Sequence, residues 1–176
     1  HIIMPIISDI QTTPNGGYWA CWEITESEEE LKQIWALPLT DYFEDIKVEM
    51  KRKEWLASRI LVKKLTEQVC GSFEGMDKDS VRKPFLLTHS AYISLSHTHG
   101  YAAAMLHPSK PVGIDIEKTS EKVERIVHKF MNEEEQKTTH SSLEEMTIYW
   151  SAKEAMYKLN GRMGIIFKEQ LLIYKA

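Results

Sequence analysis

The segment from Asp41 to Val69 constrains the fold most, because it predicts a long amphipathic helix. Its apolar residues recur at three- and four-residue spacing, and its lysines fill the opposite side. Three segments rich in aromatic and β-branched residues predict strands, at Gly17 to Thr25, Tyr92 to His97 and Tyr101 to Leu106. The last two are joined by His99-Gly100, which suits a tight turn. The pattern therefore indicates an α+β chain with antiparallel strands.

Other parts of the chain also carry local signals. Ser27 and Glu30 have the form of a capping box and predict a short helix through Trp35. Glycines and aspartates between Gly71 and Lys83 predict a loop. The remaining predictions are a strand at Val112 to Glu117, a helix at Ser120 to Met131, a short turn at Glu133 to Lys137, a helix at Leu143 to Leu159 that Gly161 ends, and a final strand at Ile165 to Tyr174.

Composition excludes some classes of function. A net charge of −4 gives no whole-molecule argument for a nucleic-acid or membrane partner, and we expect neither. No apolar run approaches the roughly 20 residues that a membrane helix needs. Cys21 and Cys70 form no disulfide framework or zinc motif, so a reducing cytoplasm fits best.

The sharpest chemical feature is the pair Asp115 and Glu117. On a strand these carboxylates would share one face, while Ile114 and Ile116 enter the core. Neighbouring carboxylates repel each other, and a bound cation removes that conflict. Hard oxygen ligands select Mg²⁺ or Ca²⁺. The alternative is an edge strand whose polar face meets water. If repulsion dominates, replacing Asp115 with Ala should cost little stability without metal.

Glu154 and Lys158 lie four residues apart on the last predicted helix and so share one face. They are either an exposed ion pair, or a third carboxylate for the metal and a cation for a phosphate. Ser96 and His97 at a strand end could reach phosphate oxygens. A Ser–His hydrolase pair fits poorly, because adjacent strand residues point to opposite faces. Zinc would need a third ligand beside His97 and His99 that is not evident.

Basic residues are concentrated in two places, around Arg59 on the first long helix and at Arg82-Lys83 after the loop. Such residues are usually solvated surface charge. Their presence together with the acidic cluster favours several cations that converge on one anionic ligand.

Together these residues resemble the 4'-phosphopantetheinyl transferases, specifically the longer, pseudo-dimeric class that modifies carrier proteins of polyketide, peptide and fatty-acid synthesis. The matching stretches are GIDIEK (113–118), FMNEEE (130–135), WSAKEAMYK (150–158), RKP (82–84) and SLSH (94–97). Their order and spacing agree from about Trp55 to Phe167. The pattern GxDxE in the first stretch, followed by WxxKEAxxK, is a specific combination, whereas RKP and the SH pair would mean little alone.

The resemblance implies an α+β fold of two similar lobes, each a small antiparallel sheet packed on a long helix. We place the lobes at residues 1–108 and 109–176, with the active site in the cleft between them, in a cytoplasmic monomer with pseudo-two-fold symmetry. Trp55 and Trp150 begin similar stretches on the two long helices, which either reflects duplication or two helices with the same packing needs. Chains of the family usually continue past the strand that ends here at Tyr174, so we expect a truncated or reduced second lobe.

The resemblance also assigns roles by position. Asp115, Glu117 and Glu154 would hold Mg²⁺. Lys158 and His97 would contact the pyrophosphate of coenzyme A, and Arg59, Lys83 and Ser96 would bind its adenosine 3'-phosphate end. Glu154, or Glu135 acting through a water, would accept the proton of the carrier-protein serine, and 3',5'-ADP would leave.

Two other functions stay open at this point. One is a catalytically degenerate module that binds coenzyme A or a carrier protein. The other is a Mg²⁺-dependent phosphohydrolase that uses the same acids.

Overall fold

The computed structural model of the chain describes residues 9–139, 142–161 and 164–174, and its strands form one antiparallel sheet. In chain order the strands are β1 (Gln11–Thr12), β2 (Tyr18–Glu23), β3 (Met76–Lys78), β4 (Pro84–Leu86), β5 (Tyr92–Thr98) and β6 (Tyr101–His107). Their spatial order is β1-β2-β6-β5-β4-β3. β5 and β6 form a tight hairpin in which Thr98 pairs with Tyr101. His99 and Gly100 make its turn, both with positive φ, so the predicted strands and turn are confirmed.

One long helix covers this sheet in the first half of the chain, and a shorter helix packs against that helix. α1 (Glu28–Trp35) begins at the predicted capping box, in which Ser27 and Glu30 satisfy each other's backbone N–H groups. α3 (Glu49–Cys70) buries Leu56, Ile60 and Leu61 in the main hydrophobic core. The long helical pattern predicted over this region is interrupted, because α2 (Asp41–Glu44) ends before α3 begins. The Arg52 guanidinium donates to the carbonyls of the break at Ile46 and Lys47.

The region predicted as a loop between Gly71 and Lys83 contains β3, so the prediction is wrong for those three residues. β3 pairs with β4 and extends the sheet by one edge strand. A turn follows β3, in which the Asp79 carboxylate accepts from the N–H groups of Val81 and Lys83. This turn brings the RKP stretch back towards the sheet.

The second half of the chain is helical and has its own hydrophobic cluster. Its helices are α4 (Glu121–Phe130), α5 (Glu133–Thr138), α6 (Leu143–Leu159) and α7 (Phe167–Gln170). Val123, Phe130, Met131, Met146 and Tyr149 form the buried centre of this cluster. The predicted bounds of α6 are confirmed, and those of α4 differ by one residue at each end. The predicted turn after α4 is a short helix, α5, which a second capping box starts.

Two predicted strands are not formed. The segment Val112 to Glu117 has no strand partner, and Ile165 to Tyr174 contains α7 followed by irregular chain. At the first of these, side chains take the backbone groups that a strand would use. The Ile114 N–H donates to Ser94 Oγ at 3.1 Å, and the Ile114 carbonyl accepts from Lys158 Nζ at 3.0 Å.

Consequently the described residues after 108 contain no strand, and the sheet of the predicted second lobe is not confirmed. Ile114 and Ile116 are half-buried and belong to neither hydrophobic core, which corrects the prediction that they enter it. The mixed composition of antiparallel sheet and helices agrees with the predicted class. Across the described ranges, no helix is long and apolar enough to cross a membrane.

Gly113 lets this extended segment approach α6 closely. A Cβ at Gly113 would lie 2.0 Å from the carbonyl oxygen of Ala155 and 2.9 Å from the amide nitrogen of Leu159. Both contacts are with helix backbone, which cannot move aside without breaking the helix. The glycine that begins the GIDIEK stretch is therefore required by packing.

We predict that Gly113→Ala lowers the free energy of unfolding by about 3 kcal/mol or more, because the added methyl group separates the segment from α6. Gly71→Ala is the control, since Gly71 has φ 90° but open space around it. It should cost only about 1 kcal/mol of backbone strain. Urea unfolding measures both, and equal losses would contradict the close approach.

Candidate active site

Asp115 lies at the centre of the candidate site, where the segment after β6 meets β5 and α6. Its Oδ1 atom accepts from Lys158 Nζ at 2.7 Å and from Ser96 Oγ at 2.8 Å. Its Oδ2 atom accepts from Ser151 Oγ at 3.1 Å. The Asp115 side chain is 5% exposed and that of Lys158 12%. In this low-dielectric setting the ion pair and the two hydroxyl hydrogen bonds fix the position of the carboxylate.

One face of α6 carries the residues that meet this segment. Ser151 and Lys158 contact Asp115, and the Trp150 indole N–H donates to Glu117 Oε1 at 3.4 Å. Glu154 is three residues after Ser151 and four before Lys158, so the helical period places it on the same face. Asp115, Glu117 and Glu154 are thus carried by two chain segments that pack against each other.

The three acids have the donor chemistry that Mg²⁺ prefers, since all their ligand atoms would be carboxylate oxygens. Within the ranges described, no group of three His, Cys, Asp or Glu side chains is gathered as a metal site. Glu117 is exposed, and Asp115 is held by protein donors. The three acids fit Mg²⁺ in the chemistry of their ligand atoms, and the two segments that carry them pack together. That they form the ligand set stays a prediction.

An open cavity of about 190 Å³ lies beside the Asp115–Lys158 pair. Lys83, Ser96, His97 and Lys158, all predicted to bind coenzyme A, line it. Lys83 Nζ also donates to the Leu159 carbonyl at 3.2 Å, which links the turn after β3 to the end of α6. The cavity therefore joins side chains that are far apart in the sequence.

Two further cations line the same cavity, Lys78 and Arg82. Arg82 has φ 64°, a left-handed conformation that non-glycine residues seldom adopt. No acidic side chain is among the described residues that line the cavity. A concave surface with this charge is suited to an anionic ligand with several phosphate groups.

Arg59 lies in a neighbouring cavity of about 230 Å³ that shares Lys78 and Arg82 with the first. Arg59 is 8% exposed, its guanidinium lies 3.7 Å from the centre of the Trp55 ring, and one nitrogen donates to the Trp55 carbonyl. Burial lowers the pKa of Arg59 to about 10, against a weaker opposing effect of Tyr42. The predicted phosphate-binding residues are therefore divided between two adjoining cavities.

His97 contacts the carboxylate of Glu54 as well as the first cavity. Its Nδ1 atom lies 3.1 Å from Glu54 Oε2. Burial lowers the pKa of His97, and the contact with Glu54 acts in the opposite direction. The net result is a pKa of His97 below its usual value, which favours the neutral ring at pH 7 when no ligand is bound.

Glu135 is placed apart from the other predicted site residues. It is 4% exposed and forms an ion pair of 2.6 Å with Lys153, which is fully buried. Its other oxygen accepts from the Ile173 N–H at 3.0 Å, and it also completes the capping box with Asn132. Glu135 lines a different cavity from the one that contains Lys158. This geometry gives Glu135 a structural task.

Three contributors to the site were missed in the sequence. Ser151 lies in the WSAKE stretch seven residues before Lys158, and this helical spacing was the available signal. Lys78 and Glu54 carry no motif. Only the sheet pairing of β3 and the packing of α3 bring them to the site.

Comparison with known families agrees with the motifs. Residues 111–167 match the family model of the 4'-phosphopantetheinyl transferase superfamily, so the resemblance is confirmed over about a third of the chain. This segment carries Asp115, Glu117, Glu135, Glu154 and Lys158, and it supports a transferase of the phosphopantetheinyl type. No curated protein matches the chain.

The hydrogen bonds of Asp115 reverse the expectation that its removal costs little. We predict that Asp115→Ala, in the presence of a chelator, lowers the free energy of unfolding by about 3 kcal/mol, because it leaves a mostly buried Lys158 without its counter-ion. Glu117→Gln, a change at an exposed carboxylate, should stay within about 0.5 kcal/mol. Chemical denaturation of both variants without metal measures these free energies. If Asp115→Ala is as stable as the wild type, repulsion between Asp115 and Glu117 would again be the dominant effect.

Proposed function

We propose that the chain transfers the 4'-phosphopantetheine group of coenzyme A to a serine of an acyl or peptidyl carrier protein and releases 3',5'-ADP. The observation that carries the proposal is the cationic cavity beside Asp115 and Lys158, in a chain whose segment 111–167 matches the superfamily. Coenzyme A carries several phosphate groups, and cations line both of the adjoining cavities.

In this proposal the phosphates of coenzyme A lie along the two adjoining cavities, the first lined by Lys83, Ser96, His97 and Lys158 and the second by Arg59. Lys158 and His97 contact the pyrophosphate, and Arg59, Lys83 and Ser96 bind the 3'-phosphate end. Arg59 suits such a role because no carboxylate partner neutralises it among its described contacts, which are the Trp55 ring and carbonyl. Lys78 and Arg82 border both cavities and would add positive charge towards either phosphate group.

Asp115, Glu117 and Glu154 would hold the Mg²⁺ ion. When bound, the ion would neutralise charge on the pyrophosphate and act as a Lewis acid towards it. Lys158 holds Oδ1 of Asp115, whereas Oδ2 accepts from the Ser151 hydroxyl at 3.1 Å and could reach the metal while the ion pair persists. The ion pair would hold both groups in place in the absence of ligand, and Lys158 also lines the cavity in which the pyrophosphate would lie.

The chain's own residues supply positioning and proton transfer. Glu154 accepts the proton of the carrier serine, whose oxygen attacks the β-phosphate, and 3',5'-ADP leaves with the electrons of the broken P–O bond. Lys158 and His97 stabilise negative charge on the phosphate oxygens. Glu154 is preferred to Glu135 as the base, because both oxygens of Glu135 accept protein hydrogen bonds in the buried pair with Lys153.

The two lobes belong to the same proposal. The two hydrophobic cores lie on either side of residues 108 and 109, and Asp115 contacts an element from each side, Ser96 on β5 and Lys158 on α6. We propose lobes at 1–108 and 109–176 with the active site between them, in a monomeric cytoplasmic protein.

The experiment that tests the activity is mass spectrometry of candidate apo carrier proteins after incubation with the protein, coenzyme A and Mg²⁺. Transfer adds the mass of phosphopantetheine to the carrier and produces 3',5'-ADP. A degenerate binding module would leave every carrier unmodified while coenzyme A still binds. A phosphohydrolase would release inorganic phosphate without a carrier.

The two candidate bases are predicted to fail in different ways. Glu154→Gln should lower kcat by about 10²–10⁴-fold with little loss of stability, because the amide cannot accept the serine proton. Glu135→Gln should instead destabilise the protein by about 3 kcal/mol, because Lys153 keeps a buried charge without its partner. Steady-state kinetics beside chemical denaturation separates the two, and the reverse pattern would make Glu135 the base.

We also predict that Lys83→Ala weakens coenzyme A binding by about 1.5–3 kcal/mol, the range for a hydrogen bond to a charged group. Lys129→Ala is the matched control, since it removes the same charge from an exposed position outside both cavities. Calorimetric titration with coenzyme A compares the variants. Equal affinities for Lys83→Ala and the wild type would remove Lys83 from the site.

A further inference from the structure

Glu54 is a fully buried acid on α3 to which neither the motifs nor the family match give a role. Its Oε1 atom accepts from the Gly100 N–H at 3.0 Å, in the turn between β5 and β6. Its Oε2 atom lies 3.1 Å from His97 Nδ1 and accepts from Lys51 Nζ at 2.7 Å. One carboxylate thus holds both the His97 ring and the turn that follows its strand.

These contacts define the charge of Glu54 and the orientation of its partner. Burial acts to raise the pKa of Glu54, but hydrogen bonds from Lys51, the Gly100 N–H and His97 outweigh it and keep the pKa below its usual value. A charged carboxylate only accepts hydrogen bonds. His97 must therefore donate through Nδ1, and Nε2 is the ring nitrogen that remains for a ligand in the cavity.

We propose that Glu54 is a positioning residue that fixes His97 in the Nδ1–H tautomer and stabilises the imidazolium that forms when a coenzyme A phosphate reaches Nε2. The inference rests on the proposed function, because coenzyme A is its ligand. A neutral Nε2 is an acceptor and would repel a phosphate oxygen. Donation to the phosphate consequently requires uptake of one proton from solvent at Nε2.

The surroundings of His97 set the direction of this coupling. The charged groups around it are Glu54, Lys51 and Arg59 from α3, and Lys78, Arg82, Lys83 and Lys158 around the cavity. Burial lowers the pKa of His97. Glu54 acts to raise this pKa, whereas Lys51 and Arg59 lower it further. A bound phosphate adds negative charge and raises the pKa of His97, so the contribution of His97 to affinity increases as the pH falls.

The first test needs no ligand. Nitrogen-15 NMR of the histidine rings in the ligand-free wild type, assigned with His97→Gln, should show His97 neutral near pH 7 with its proton on Nδ1. A proton on Nε2 instead would overturn the proposal. Because this measurement uses the folded wild-type protein alone, it decides the Glu54–His97 geometry whether or not the protein proves to be a transferase.

The second test is calorimetric titration with coenzyme A between about pH 8 and about pH 6. Wild-type affinity should rise by about tenfold on acidification, and His97→Gln should remove most of that rise. Glu54→Gln should shift the rise to lower pH, because its amide cannot stabilise the imidazolium. Lys51→Ala should shift it to higher pH, because a repelling cation is gone.

If Glu54 had a merely structural role, Glu54→Gln and Lys51→Ala would not shift the pH profile of affinity in opposite directions. Equal, pH-independent losses of affinity in Glu54→Gln and Lys51→Ala would overturn the proposal. If Glu54→Gln does not fold, an unshifted profile in Lys51→Ala overturns it as well. Binding that follows these shifts without any carrier modification would contradict the transferase and leave the role of Glu54 standing.

Discussion

The ion pair between Asp115 and Lys158 is the interaction on which the rest of the site depends. It connects the extended segment after β6 to α6, and Ser96 and Ser151 join the same carboxylate from β5 and α6. Gly113 allows the close approach that this geometry needs. A mostly buried pair is costly to desolvate, so the two hydroxyl groups that donate to Asp115 and the two backbone carbonyls that accept from Lys158 matter as much as the charge attraction itself.

Charge is arranged in two adjoining regions around this pair. Carboxylates lie on the extended segment and α6, and cations gather in the cavity from β3, the turn after it and the last turn of α6. Acidic and basic side chains in separate regions suit phosphoryl transfer, which requires mainly positioning of the reacting groups and neutralisation of negative charge. The buried Arg59, stacked on Trp55, extends the cationic side into a second cavity.

Local patterns in the sequence were sufficient for α1, α6 and the β5–β6 hairpin, because caps, periodicity and turn residues act within a few neighbours. They failed at Val112 to Glu117, since alternating apolar and acidic residues look the same in a strand and in an extended segment docked on a helix. Motifs indicated Asp115 and Lys158. Partners supplied by tertiary packing, such as Glu54 and Lys78, left no local trace.

The most direct measurement of the central claim is the melting temperature of the wild-type protein with coenzyme A, with Mg²⁺ and with both together. A ligand that binds the native state raises this temperature, and the increase grows as the ligand concentration exceeds the dissociation constant. If Asp115, Glu117 and Glu154 hold the ion beside a cavity that binds coenzyme A phosphates, the two ligands together should raise the temperature by more than the sum of their separate effects. A melting temperature that neither ligand changes, alone or together, would contradict the account.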